Sequence, residues 1–187
     1  MGKDVYTDIW DYAADHYGVI TTQEAAALGV SKQHLVTMSN RGTLTRLGHG
    51  VYRVKHHIFS ENDVYAHTVA QVGPSGYLRG ASVLAMLQLC PTNPNLVYVG
   101  TPVRCRRRLP KGVMLADRKN CDCVEYEGIR SEPVVQALKT ALDEGMVERT
   151  RIVEAAQRAC EKGLLTTEEA AKFKEDVVQF VPRRRGR

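Results

Sequence analysis

Hydrophobic positions near the start of the chain recur at helical spacing. Val5, Ile9, Tyr12 and Ala13 fall on one stripe, predicting a helix over 4–17 with Gly18 just past its end. Val19 and Ile20 read as a short extended link. Thr21 with Glu24 three residues on has the form of a capping box, opening a helix that runs to Leu28 and stops at Gly29. Ser31 is the next N-cap, and its helix covers 32–41 and ends at Gly42. Leu28-Gly29-Val30-Ser31 is then a tight turn between two helices. Residues 44–47 and 51–54 alternate between apolar and polar, and Gly48-His49-Gly50 between them signals a β-hairpin. Helix, helix, turn, helix, hairpin is the order of a winged helix-turn-helix.

The pattern changes after Val54. Ser60 and Asp63 begin a helix to about 72, broken by Gly73-Pro74-Ser75-Gly76, and a second helix is expected over 80–89. Segments 96–100, 103–109, 113–117 and 121–127 read as short strands. Three helices follow. Ser131 is the expected cap of the first, striped by Val134, Val135, Leu138, Ala141 and Leu142. Ile152, Ala155, Ala156 and Ala159 mark the second. Thr166 with Glu169 caps the third, which carries Ala170, Phe173, Val177 and Phe180. There is no internal repeat and no low-complexity linker, so the boundary near 56–60 rests on the change of pattern alone. The expectation is an α+β chain: a winged helix-turn-helix over 1–57, a mixed α/β domain over 58–181, and a basic tail over 182–187.

Composition sharpens this picture through the placement of charge. The chain has 187 residues, with 26 Lys and Arg against 21 Asp and Glu, so the net charge of +5 is modest. Its distribution is not. Between Glu24 and Glu61 there is no acidic residue, while Lys32, Arg41, Arg46, Arg53 and Lys55 all lie there. A second basic run holds Arg104, Arg106, Arg107, Arg108 and Lys111, and Arg183, Arg184, Arg185 and Arg187 form a third. Segregation of this kind is the footprint of a polyanion partner. The opening MGKDVYTDIWDYAADHYG has four aspartates and no apolar run, so it is not expected to be a secretory signal. No apolar stretch approaches the ~20 residues of a membrane span. Five cysteines without paired spacing argue against a disulfide framework, and a reduced, cytoplasmic protein is expected.

On the helix 32–41, Leu35 and Met38 lie together and are expected to be buried. The opposite face carries Gln33, Val36, Thr37 and Asn40, flanked by Lys32 and Arg41. Gln and Asn can pair with adenine, and the methyls of Val and Thr can meet the thymine methyl. Lys32 and Arg41 suit phosphates, which position a helix without reading sequence. Arg46, His49 and Arg53 on the hairpin are candidates for the backbone or the adjacent minor groove. Arg106, Arg107 and Arg108 are candidates for further phosphate contacts. The rival from another class is a protein-interaction module whose basic hairpins dock an acidic partner.

Enzymatic chemistry has little support. Cys121-Asp122-Cys123 is a single C-x-C pair without a matching histidine, weak as a zinc signature, and no metal is expected. Asp117, Asp122, Glu125 and Glu127 are the acids nearest the predicted strands, but no lysine follows at a nuclease-like spacing. No phosphate-cradling glycine motif occurs, so no cofactor is expected. His67 reads as a half-buried structural histidine.

The run GVITTQEAAALGVSKQHLVTMSNRGTLTRLGHGVYRV resembles the N-terminal domain of AbiEi antitoxins of type IV toxin–antitoxin systems. Gly18, Val19, Thr21, Ala25, Leu28, Gly29, Val30, Ser31, Leu35, Arg41, Gly42, Leu44, Arg46, Gly48, Gly50, Val51, Tyr52 and Arg53 carry the likeness. YLRGASVLAMLQL, VYVGTPVRCRRRLPKGVMLADR and GIRSEPVVQALKTALDEG are similar to later parts of the same family. Met38 stands where leucine is common, and Ser131-Glu132-Pro133 replaces a threonine-rich turn. The resemblance implies a non-enzymatic protein that binds inverted repeats in its own promoter. It further implies repression of an operon encoding a nucleotidyltransferase toxin of the AbiEii type, countered by the second domain. Direct contact with that toxin is not implied. A stand-alone transcriptional regulator is the neighbouring alternative.

Overall fold

The computed structural model describes residues 5–179; Asp4, Phe180 and the basic tail 182–187 lie outside the described residues. Helix α1 (Val5–Ala14) is seated by Ile9 and Ala13, both buried. It ends earlier than its sequence predicts. His16 and Gly18 turn their N–H groups back to the Ala13 carbonyl, and Tyr17 and Gly18 take φ values of 54° and 71°. Strand β1 (Val19–Thr21) follows. The Thr21 hydroxyl accepts the Glu24 N–H at 3.2 Å while the Glu24 carboxylate accepts the Thr21 N–H at 2.7 Å. This reciprocal pair starts α2 (Thr22–Ala27). Ser31 Oγ accepts the His34 N–H at 3.2 Å and starts α3 (Lys32–Asn40). Strands β2 (Leu44–Gly48) and β3 (Val51–Val54) form the antiparallel hairpin, with an irregularity between Arg46 and Gly48. The stretch expected as a mere link, β1, is the third strand of this sheet, whose order is β1-β3-β2.

Side chains alternate across β3, so it has two different faces. Tyr52 and Val54 join Ile20 and Leu44 in a core with Ile9, Ala13, Leu35 and Met38, between the sheet and the first three helices. Val51 and Arg53 must point the other way. Val51 is nevertheless fully buried, because α4 (Asp63–Val72) packs beneath the sheet against β1 and β2. The first element after the expected boundary thus covers the underside of the N-terminal sheet.

The remainder surrounds a five-stranded sheet, made of β4 (Tyr77–Leu78), β5 (Val97–Thr101), β6 (Val113–Asp117), β7 (Val124–Tyr126) and β8 (Ile129–Ser131). Its order is β6-β5-β4-β8-β7. The β4–β5 and β7–β8 pairs are antiparallel; β4–β8 and β5–β6 are parallel. Helices α5 (Ala81–Met86), α6 (Val134–Asp143), α7 (Arg149–Glu161) and α8 (Thr167–Gln179) pack one against the next. Leu84, Leu138, Ile152 and Phe173 from these helices share a core with Leu78 and Val99 of the sheet. The α8 cap forms as its sequence predicts, with Thr166 Oγ1 accepting the Glu169 N–H at 3.1 Å.

Several expectations for this half are corrected. Residues 103–109 form no strand; because β5 and β6 run parallel, the basic run lies in an irregular crossover and not in a hairpin. The strand expected over 121–127 shrinks to Val124–Tyr126, and the helix expected to reach residue 89 ends at Met86. Ser131 is the last residue of β8 and donates to the Ile129 carbonyl at 2.9 Å, so it does not cap α6. Pro133 occupies that place without a side-chain bond. Between them, buried Glu132 accepts the Gly80 N–H at 2.8 Å and the Thr140 hydroxyl at 3.3 Å. Burial pushes its carboxyl above the usual carboxylate range.

Candidate nucleic-acid interface

Helix α3 is fixed from one side. Leu35 and Met38 are buried in the N-terminal core, and Ser31 caps the first turn, so the orientation of the helix is set by packing. Lys32, Gln33, His34, Asn40 and Arg41 are exposed. Val36 and Thr37 are half-buried, and the Thr37 hydroxyl donates to the Gln33 carbonyl at 3.0 Å. The Thr37 hydroxyl is thus already engaged within the helix. His34, in the first turn of α3, was not among the residues singled out from sequence. Helical spacing puts it one turn before buried Met38, so its exposure had no signal in the periodicity.

The hairpin contributes Arg46 and His49, both exposed, and the Arg46 Nε donates to the Gly48 carbonyl at 3.2 Å. Arg53 is placed differently. It lies on the underside of β3, with its guanidinium carbon 4.6 Å from the centre of the Phe59 ring. Its Nε is buried without a hydrogen-bond partner. Lys32, Gln33, Asn40 and the C-cap Arg41 are thus all exposed, with Gln33 and Asn40 on one line along the helix and Lys32 and Arg41 to either side, and Arg53 is set apart from them, at the junction with α4.

The crossover 102–112 returns to this end of the molecule. Arg107 Nη1 donates to the His49 carbonyl at 3.4 Å and to the Gln71 carbonyl at 3.3 Å, bridging the hairpin turn and the last turn of α4. A cation is well placed at a helix C-terminus. Arg104, Arg106 and Arg108 are exposed on the same segment. The Cys105 N–H donates to Asp117 Oδ1 at 2.7 Å and pins the segment to the end of β6. A cleft of about 590 Å³ separates the two halves beside this bridge, lined by Val19, Thr21, Ala66, Val69 and Arg107 among others.

At the other end of the junction, Asp63 is buried and accepts from His57 Nε2 at 2.6 Å, from the Ser60 N–H at 3.0 Å and from Ser60 Oγ at 2.7 Å. Burial alone would push this carboxyl up; the Ser60 hydrogen bonds and His57 outweigh it and hold the group below its ordinary value. Burial lowers the His67 imidazole, which donates from Nε2 to the Tyr17 carbonyl at 2.9 Å. His67 is thus half-buried and hydrogen-bonded, as its sequence position suggests.

The acids considered for nuclease chemistry do not converge. Among the described residues, the group of three or more side chains able to share a metal ion is His57, Asp63 and His67, and Asp117, Asp122, Glu125 and Glu127 form none. Nor do the cysteines. Burial and its neighbour Cys123 push the Cys121 thiol up to about 12, keeping it protonated at neutral pH. Among the described residues, no helix is long and apolar enough to cross a membrane.

Comparison with known proteins adds one match. No curated protein matches the chain. The matched segment runs from within α1 to just past β3, taking in the capped helix pair and the hairpin but stopping short of α4. Over residues 9–55, 47 of its 187, the chain is similar to the family described as "Transcriptional regulator, AbiEi antitoxin".

Proposed function

We propose that the chain binds duplex DNA in a sequence-specific way through a winged helix-turn-helix, with α3 as the recognition helix in the major groove. The observation that carries this reading is the exposed face of α3, which holds Lys32, Gln33, Asn40 and Arg41 with no carboxylate between Glu24 and Glu61. Gln33 and Asn40 are the base readers, and the methyls of Val36 and Thr37 meet thymine at closer range. Lys32 and Arg41 hold phosphates, and Arg46 and His49 place the wing on the backbone. Arg106 and Arg108 extend the basic surface, held beside the wing by Arg107. Arg53 acts from behind, as a positioning residue at the sheet's underside.

The similarity over 9–55 supports the wider role of a cytoplasmic, non-enzymatic antitoxin. It would repress its own operon at promoter repeats and counteract a nucleotidyltransferase toxin of the AbiEii type. The unit over 58–181 is proposed as the part that counters the toxin. A mobility shift on the DNA upstream of its own reading frame tests the first claim: the full chain should shift that duplex, and the Gln33→Ala/Asn40→Ala double variant should not. A growth assay with an AbiEii-type toxin induced tests the second. Protection by the full chain and by the double variant alike would separate antitoxin action from DNA binding, while loss of both together would tie them.

A further inference from the structure

Asp63 and His67 are one turn apart on α4 and therefore share a face. The chain leaving β3 brings His57 to the same point. His57 Nε2 lies 2.6 Å from Asp63 Oδ2, and His67 Nε2 lies 3.6 Å from that same oxygen. One donor atom from each of the three residues falls within 4.8 Å of the others. The Tyr17 carbonyl oxygen adds a fourth donor atom, 2.9 Å from His67 Nε2. Hydrogen bonding accounts for the His57–Asp63 and His67–Tyr17 contacts. It does not account for two imidazole nitrogens facing one carboxylate oxygen, the second at 3.6 Å.

That separation suits a shared cation. Zinc–ligand bonds of about 2.0–2.2 Å place neighbouring ligand atoms of a tetrahedron about 3.3–3.6 Å apart. The His67–Asp63 distance is near this already, and the His57–Asp63 pair reaches it by opening less than about 1 Å. Outer partners are also in place, since Ser60 holds Oδ1 of Asp63 through two hydrogen bonds and leaves Oδ2 turned to the imidazoles. The His57, Asp63 and His67 side chains are 11%, 6% and 12% exposed, so the cluster is largely shielded from water. A cavity of about 420 Å³ lined by Tyr17, His57, Ser60 and Gly128 gives an entry path.

We propose that His57, Asp63 and His67, with the Tyr17 carbonyl, form a site for a divalent transition-metal ion of imidazole and carboxylate preference, with zinc the ion to test. The ligands come from the turn between α1 and β1, the segment after β3 and α4, so a bound ion would clasp the N-terminal sheet to the helix beneath it. The sequence expectation of no metal weighed cysteine spacing, and these donors are of another kind. The inference does not depend on the DNA-binding reading.

The full chain, stripped with chelator, is titrated with zinc and followed by native mass spectrometry and calorimetry. One ion per chain is expected, with a zinc-dependent rise in melting temperature. His57→Ala and His67→Ala should each lose stoichiometric uptake, with circular dichroism recorded alongside to confirm that the fold persists. Cobalt loaded into the unaltered chain provides a readout that needs no variant: visible d–d bands without a thiolate charge-transfer band. Absence of stoichiometric uptake by the unaltered chain, uptake undiminished in both variants, or a thiolate band that moves the ion to the cysteines would each overturn the proposal.

Discussion

The outer face of α3 and the underside of the N-terminal sheet both gather polar and basic side chains, only a few residues apart in sequence, and use them in opposite ways. On α3, Lys32, Gln33, Asn40 and Arg41 stand in water around a helix anchored by Leu35 and Met38. Beneath the sheet, Arg53, His57, Asp63 and His67 are engaged with one another, with Phe59 or with backbone. One surface is anchored yet exposed, as the proposed DNA-reading role requires; the other is committed to holding two parts of the chain together. A basic residue's role here is decided by which side of a strand or helix it occupies.

The largest effect should come from separating the two regions. Residues 1–57 alone would leave Val19 and Val51 uncovered, and each fully buried side chain of that size contributes about 1.5–3 kcal/mol. A unit of about 60 residues has little stability to lose. This piece should melt well below the full chain and bind DNA more weakly. Equal melting temperatures would show that α4 adds nothing to the sheet.

Next in size is a contrast within α3. Leu35→Ala should cost about 2–5 kcal/mol of folding stability, read by thermal or urea denaturation. Gln33→Ala, two residues away, should change stability by no more than about 0.5 kcal/mol. It should instead cost about 1–3 kcal/mol of binding at the cognate site and relax discrimination there, as should Asn40→Ala. Equal losses on cognate and random duplexes would break the assignment of these two as readers.

A smaller effect is expected at the bridge. Arg107→Ala removes two long hydrogen bonds between the crossover, the hairpin turn and α4, worth about 1 kcal/mol of stability. Arg106→Ala and Arg108→Ala leave the fold untouched and should each reduce the salt dependence of binding by about one ion. If Arg107→Ala and Arg106→Ala behave alike in both assays, the distinction between tether and contact does not hold.

Much of the N-terminal half was legible because its signals are local. The Thr21–Glu24 box, the Ser31 cap and the hairpin at Gly48-His49-Gly50 each lie within a few residues, and each forms. The elements missed or misread depend on distant partners. β4 and β8 are two and three residues long, too short for periodicity, and exist because Leu78 pairs across to Ser131. The arginine run 104–108 reads as a strand until β6 is found parallel to β5, which turns the segment into a crossover. Arg53 belongs to an alternating strand, but no local pattern says that α4 covers its side. The Asp63–His67 spacing was visible in the sequence, whereas the arrival of His57 was not.

The most direct test of the DNA-binding account is the affinity of the full chain for its own upstream duplex, measured by fluorescence anisotropy across a series of salt concentrations. The logarithm of the binding constant should fall linearly with that of salt, and Lys32→Ala or Arg46→Ala should each flatten the slope by about 0.9 without changing preference for that duplex over a scrambled one. A slope unchanged in both variants, or equal affinity for the two duplexes, would contradict it.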